Sequence, residues 1–293
     1  MKMTKKMREA LTGYALVSPW IIGFILFMAY PIYYSTYLSF HKVTISANGI
    51  VTEYIKGDNY KYAFLSDPEF IEKLLLFIKT AVGMIPIIIV FSMLVALLIN
   101  QPIRMKGLFR AIFFLPVVIT SGEVVNELFS QGATAIPLVE KYGIIEIIKD
   151  NLSPAWSSPI ISLIQQLILI LWFSGVQILI FLAGLQKVNK QVYEAASIDG
   201  ASPWVSFWKV TLPAIKPFIA VNMIYTTVDL FTNSFSDVIT MIKDNMFNLT
   251  TGFGYATALA WIYFGVIFVF LCLILLLFRN NDDVNVRPRR RRA

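Results

Sequence analysis

Five polar side chains stand out in a mixed stretch of this chain that also holds Thr227, Ser236 and Asp237: Asn222, Tyr225, Thr226, Asp229 and Asn233. Steps of three and four residues put Asn222, Tyr225 or Thr226, Asp229 and Asn233 along one face of a helix. Donors, acceptors and an aromatic plate on a single face suit a hydroxyl-rich solute such as a sugar. They also suit a hydrogen-bonded contact between two helices with no ligand, and for any one residue that plainer reading is at least as good. Gln165, Gln166 and Gln177 form a weaker set of the same kind, and Trp156 and Trp172 serve stacking, packing or interface anchoring. Glu123, Asn126 and Glu127 read as a mouth, an ion-pair site or a solvated rim. Bond-breaking chemistry has no constellation to support it: the carboxylates are scattered through loops, His41 is the only histidine and Cys272 the only cysteine. Neither a bound metal nor a disulfide within the chain is expected.

A second constellation lies upstream. Glu194-Ala195-Ala196-Ser197-Ile198-Asp199-Gly200-Ala201 is a short helix-forming stretch of small residues, followed by Trp204, Phe207 and Trp208 and then by Leu212-Pro213. A face containing Ala196 and Gly200 lets another surface come close to the backbone. The aromatic residues, three and four apart, make an apolar ridge. Two readings stand: a helix lying in the membrane interface with its aromatics in lipid, or a helix that docks on a partner. The small face favours the second. The chain has no Gly-x-x-x-x-Gly-Lys-Ser/Thr loop, and Lys187 and Lys190 lack a glycine-rich approach, so it does not itself hydrolyse a nucleoside triphosphate by that device.

The elements that position these groups follow from composition. Hydrophobic residues are 57% and charged residues 15% of the 293, against about 25% charged in an ordinary soluble domain, and the mean hydropathy is +0.68. Apolar runs of about 20 residues recur, the length that crosses a bilayer as a helix. Six spans are expected, roughly at 14–37, 74–99, 108–125, 159–182, 214–238 and 255–278. The first is too long for a signal peptide and lacks a small-residue cleavage site after it, so it is read as an uncleaved helix. Basic residues gather at the span ends: 17 of the 25 lysines and arginines fall in the N-terminal tail, the 100–110 and 185–216 loops and the C-terminal tail. The positive-inside rule then places both termini and the 185–216 loop in the cytoplasm. A net charge of +7 distributed in this way argues against nucleic-acid binding and for contact with anionic lipid, notably by Arg289 to Arg292. No internal repeat is evident.

The fixed spacing from Glu194 to Pro213 resembles the cytoplasmic signature of bacterial ABC importer permeases: Glu-Ala-Ala, three residues, Gly, nine residues, Ile, one residue, Leu-Pro. Val210 stands where that pattern has Ile. Leu11-Thr12-Gly13-Tyr14 through Ser18-Pro19-Trp20, Tyr30-Pro31, and Arg110 through Phe114-Leu115-Pro116 are similar to the binding-protein-dependent sugar permeases of the maltose and glycerol-phosphate type. The resemblance implies an all-α integral membrane protein with the ABC importer permease fold, resident in the bacterial cytoplasmic membrane. It implies Glu194, Ala195, Ala196 and Gly200 in a helix that couples to an ATPase, with Leu212 and Pro213 ending the loop and setting its angle to span five. Its partners would be a second homologous permease, two cytoplasmic ATPase subunits and an extracytoplasmic solute-binding lipoprotein. ATP and magnesium would be used by the ATPase, and no cofactor would be bound by this chain.

On this reading residues 1–13 are a cytoplasmic tail, 14–278 a permease domain with a coupling loop at 185–213, and 279–293 a basic tail. The expected function is one half of a translocation path for a sugar or oligosaccharide, working by alternating access. The nearest alternative is a permease for glycerol phosphate or another small polar solute. A secondary transporter has no need of the Glu194–Pro213 loop, and a membrane scaffold leaves the polar stripe of span five without a use.

Overall fold

Long apolar runs become long helices because in hydrocarbon every backbone N–H and C=O must be satisfied within its own segment. The computed structural model describes residues 5–46, 49–101, 107–108, 110–112, 143–233, 236–248 and 251–279. In chain order these form α1 (Lys5–Phe24), a π-turn (Ile25–Ala29), α2 (Tyr30–Ser39), β1 (His41–Ser46), β2 (Gly49–Tyr54), α3 (Asp58–Leu65) and α4 (Pro68–Asn100). After the 113–142 segment come α5 (Ile144–Asn151), α6 (Pro154–Phe173), α7 (Gly175–Lys187), α8 (Lys190–Ile198), α9 (Pro203–Ser206) and a second π-turn (Phe207–Thr211). The described chain closes with α10 (Leu212–Thr232), α11 (Asp237–Met246) and α12 (Gly252–Leu277).

Four helical stretches among the described residues are long and apolar enough to cross a membrane: Glu9–Ser39, Pro68–Asn100, Pro203–Thr232 and Gly252–Leu277. They coincide with expected spans one, two, five and six. Span three lies outside the described residues except for 108 and 110–112. Span four departs from the expectation of one helix. It divides at Ser174, whose Oγ donates to the Ile170 carbonyl while Gly175 begins α7. A serine bonding back to the preceding turn bends a helix, and glycine gives that bend freedom. From Lys5 onward the described part of the 1–13 segment is helical and continuous with α1.

Both π-turns sit at the same distance from a proline. The Tyr30 N–H reaches the Ile25 carbonyl just before Pro31, and the Leu212 N–H reaches the Phe207 carbonyl just before Pro213. Proline lacks the N–H that an α-helix would use there, and its ring clashes with the carbonyl four residues back, so the preceding turn widens.

The chain divides into two compact units, residues 1–75 with 237–265 and residues 76–236 with 266–293. In the first unit β1 and β2 form an antiparallel hairpin, with His41 opposite Tyr54 and Ser46 opposite Gly49. This is the one departure from an all-helical fold among the described residues. Its β-branched alternation on both sides of a short connection is a hairpin signal, with Gly49 of the Asn-Gly pair opening β2. Asn59 donates to the Ser39 and His41 carbonyls at 2.9 and 3.2 Å, and Tyr60 donates to Ser39 Oγ at 2.8 Å. His41 is buried, stacked on Tyr37 at 3.9 Å, its Nδ1 2.7 Å from the Tyr37 carbonyl. Asp67 caps α4 by accepting from the Phe70 N–H at 3.0 Å, and its other oxygen accepts from the Tyr255 hydroxyl at 2.5 Å.

Gly254 is fixed by space, since a Cβ there would overlap the His41 carbonyl. Gly254→Val is therefore expected to destabilise the first unit by about 1–3 kcal/mol through overpacking. Gly265, which has open space around its Cα, serves as the control. Thermal unfolding in detergent should show a lowered Tm for the first and little change for Gly265→Ala.

Candidate functional site

The second unit is organised by the pairing of α7 with α10. As residue numbers rise along α7 they fall along α10: Gln177 meets Thr226 and Gly184 meets Phe218, so the two helices run antiparallel. At Gly184 a Cβ would stand 2.7 Å from the Phe218 ring, so only glycine admits this contact. Lys187 adds its Nζ 5.5 Å above the same ring. One end of the pair is closed by Gln177, whose Nε2 donates to Thr226 Oγ1 at 3.1 Å with both residues buried. Phe231, fully buried, packs against Phe77 and Phe270 at ring distances of 4.9 and 5.1 Å.

This pairing splits the polar stripe. Asn222 and Thr226, four apart, are completely buried. Tyr225 and Asp229, also four apart, open instead into a cleft with Gln177, Asn233, Trp172, Phe173 and Val176. Asn233 is not on the helix: α10 ends at Thr232, and Asn233 is extended. It reaches the cleft as the extended residue that ends α10. Neither side-chain atom of Asn222 has a hydrogen-bond partner among the described residues, and the Gln177 carbonyl oxygen is in the same position. Among the described residues the cleft holds about 40 Å³, room for ordered water or a hydroxyl group and less than a sugar ring needs. The described residues that line it include one carboxylate and no basic group.

Trp172 lines the cleft, whereas Trp156 is exposed on α6. The side chains of Gln165 and Gln166, and the whole of Glu123, Asn126 and Glu127, lie outside the described residues. Phe173 and Val176 were not singled out by sequence, because apolar residues in an apolar run carry no positional signal.

At the other end of α10 stands the Glu194–Pro213 segment. Asn189 caps α8 by accepting from the Gln191 N–H at 3.0 Å. The helix closes in a Schellman turn, with Gly200 N–H to Ser197 O at 3.1 Å and Ala201 N–H to Ala196 O at 2.9 Å. Gly200 has φ +78°, and a Cβ on it would meet nothing within 4 Å, so this chain needs glycine there for its backbone angle. Ser202 then caps α9, accepting from the Val205 N–H at 3.3 Å. Glu194, Ala195 and Ile198 point outward, Ile198 86% exposed, and α8 buries no residue. Ala196 faces inward on the side of Tyr193.

Two expectations about this segment change. Leu212 and Pro213 do not end a loop, because a continuous helical stretch runs from Pro203 to Thr232 with Pro213 inside it. The aromatic ridge belongs to that stretch, with Trp204, Phe207 and Trp208 in mutual contact at 5.2–6.4 Å. The small-residue helix and the aromatic ridge are thus separate elements on either side of the Gly200 turn.

A family model for the binding-protein-dependent transport system inner membrane component matches residues 63–283. The probable ABC transporter permease YesP of Bacillus subtilis is 30% identical over 79% of this chain and 74% of its own length. The lactose transport permease LacF of Rhizobium radiobacter is 30% identical over 83% and 77%. The arabinooligosaccharide transport permease AraP of Halalkalibacterium halodurans is 33% identical over 76% and 68%. Among solved structures, a bacterial ABC transporter involved in importing the acidic polysaccharide alginate shares the fold. It has a TM-score of 0.65 at 21% identity and covers 94% of this chain and 97% of its own.

The buried Gln177–Thr226 bond makes a measurable claim. Thr226→Val leaves the Gln177 amide without its acceptor and is expected to cost about 1–3 kcal/mol. The double variant Gln177→Leu/Thr226→Val should recover most of that loss. A thermal-unfolding double-mutant cycle in detergent reads the coupling.

Proposed function

This chain belongs to the family of binding-protein-dependent transport system inner membrane components, and from that premise we propose that it is one permease subunit of an ATP-driven sugar or oligosaccharide importer. A second homologous permease completes the path, two cytoplasmic ATPase subunits bind and hydrolyse ATP with magnesium, and an extracytoplasmic lipoprotein delivers the solute. The observation that carries this reading is the placement of two unlike features at opposite ends of α10. An outward-facing short helix ends in a glycine turn at one end, and a polar cleft with an aromatic wall lies at the other.

Glu194, Ala195, Ala196 and Gly200 are assigned to the ATPase contact. Glu194, Ala195 and Ile198 present the surface, Ala196 turns toward the body of the chain, and Gly200 sets the turn. Leu212 and Pro213 act by widening the helix at its base. The basic residues of the 185–216 loop and both termini put this end in the cytoplasm. Residues 1–13 and 279–293 extend the same cytoplasmic surface, and 14–278 form the permease body. The exposed aromatic ridge of Trp204 and Trp208 suits the membrane interface.

Tyr225, Asp229 and Asn233, with Gln177 and Trp172, are assigned to the solute path, and Asn222 and Thr226 to its support. Among the described residues the cleft is smaller than a sugar ring, which supports a site completed by the second permease. LacF and AraP carry sugars in their names, which supports a glycan over other solutes. Glycerol phosphate, the nearest alternative, is disfavoured by Asp229 in a cleft whose described lining has no cation; Lys79 is exposed on α4 and does not line it.

The experiment is reconstitution of the chain with its co-encoded partners in proteoliposomes, followed by ATP-dependent uptake of a panel of neutral and acidic oligosaccharides and glycerol phosphate. Uptake of at least one glycan, dependent on the binding protein, is the expected result. Uptake of glycerol phosphate alone would replace the reading. In the same system Asp229→Ala and Asn233→Ala should lower uptake at least tenfold while the complex still assembles, and unchanged kinetics would remove both from the path. Gly200→Val should release the ATPase subunits in co-purification with membrane insertion intact.

A further inference from the structure

We propose that the hydrogen bond between Tyr193 and Thr211 is the positioning contact by which α8 moves α10, and with it the distant cleft. The proposal rests on the reading of α8 as the ATPase contact. Tyr193 OH lies 2.9 Å from Thr211 Oγ1. Among the described residues this is the side-chain hydrogen bond that ties α8 to the helical stretch leading into α10. The other link is the chain itself through residues 199–202, where Gly200 sits at positive φ. A turn this short joins α8 to the next helix by backbone alone, and under load it is the joint about which α8 would pivot.

The bond is placed where it can prevent that pivoting. Thr211 is 4% exposed, so water competes little for its hydroxyl and the bond keeps its strength. Thr211 is the last residue of the π-turn, and its hydroxyl makes a second, longer contact of 3.4 Å to the Ser206 carbonyl as donor. One hydroxyl has one proton, so Tyr193 donates to Thr211 and Thr211 to Ser206. This relay locks α8 to the widened turn that Pro213 imposes. Tyr193 and Ala196, one helical turn apart, form the inward side of α8, opposite the exposed Ile198.

From Thr211 helical backbone runs to Thr232, passing through Pro217, and Asp229 stands about 27 Å along its axis. α7 is carried with it, held by the Gly184–Phe218 approach and the Gln177–Thr226 bond. Force applied to the outer face of α8 therefore reaches both walls of the cleft as the displacement of one body. When Tyr193 loses its hydroxyl, the same force is absorbed by the Gly200 turn.

The test uses the full complex in nanodiscs, with Val176→Cys in the cleft as the reporter and Cys272→Ser to remove the native thiol. The rate of maleimide labelling at position 176 is compared without nucleotide and after trapping with ATP and vanadate. Tyr193→Phe is expected to reduce the nucleotide-dependent change in rate about fivefold, the size of one net hydrogen bond. ATP hydrolysis should continue. Thr211→Val should do the same, Thr211→Ser should retain the response, and Tyr193→Phe/Thr211→Val should be no worse than either alone. A full response in Tyr193→Phe overturns the proposal, as does an additive double variant. Loss of assembly in Tyr193→Phe would show a merely structural role and overturn it too. If the parent complex shows no nucleotide dependence at position 176, the ATP-driven reading of the chain fails and the proposal falls with it.

Discussion

The close antiparallel contact of α7 and α10 is the constraint on which the second unit depends. Two helices in lipid gain nothing from burying apolar surface, since the tails around them are as apolar as leucine. They associate through packing and through polar bonds, and both occur here. Gly184 gives the Phe218 ring its seat, and the Gln177 amide N–H donates to Thr226 across the buried contact. Because this pairing takes up one face of α10, Tyr225 and Asp229 are left facing a cleft. The polar groups of that helix therefore divide into support and surface according to which side of the pairing they fall on.

The second constraint is local. Two prolines, each following a π-turn at the same spacing, let long helices pass through a position where a regular α-helix cannot. At Pro213 this makes the base of α10 continuous with the segment that carries the aromatic ridge. A helix without a break transmits displacement, whereas a loop at Leu212-Pro213 would have absorbed it. The chain direction changes at the turn around Gly200, where φ is positive. Helix, polar tie and glycine turn are the parts from which the proposed coupling is built.

Much of this was legible in the residues. The apolar runs gave four of the spans, and the Glu194–Pro213 spacing identified the segment that ends in the Gly200 turn. The rest depended on tertiary contacts. The Ser174 break lies inside an apolar run whose hydropathy does not change across it. The spacing of three and four that joined Asn222 to Asn233 continued past the real end of α10, because asparagine at 233 fits either a helix face or the extended residue that ends a helix. Asn222 and Tyr225 looked equivalent, and only the neighbouring α7 distinguishes them. Tyr193 and Thr211 gave no signal, since a bond across 18 residues and a turn cannot be read from local pattern.

The central claim is that α8 is the surface through which this chain is driven. Its most direct measurement is site-specific disulfide cross-linking in membranes holding the full complex. A cysteine replacing the exposed Ala195, in a chain carrying Cys272→Ser, is paired with cysteines scanned along the groove of the co-encoded ATPase. The account predicts a cross-linked permease–ATPase product whose yield changes between nucleotide-free and ATP-vanadate states. No product at any scanned position, in a complex that still hydrolyses ATP and moves solute, would contradict it.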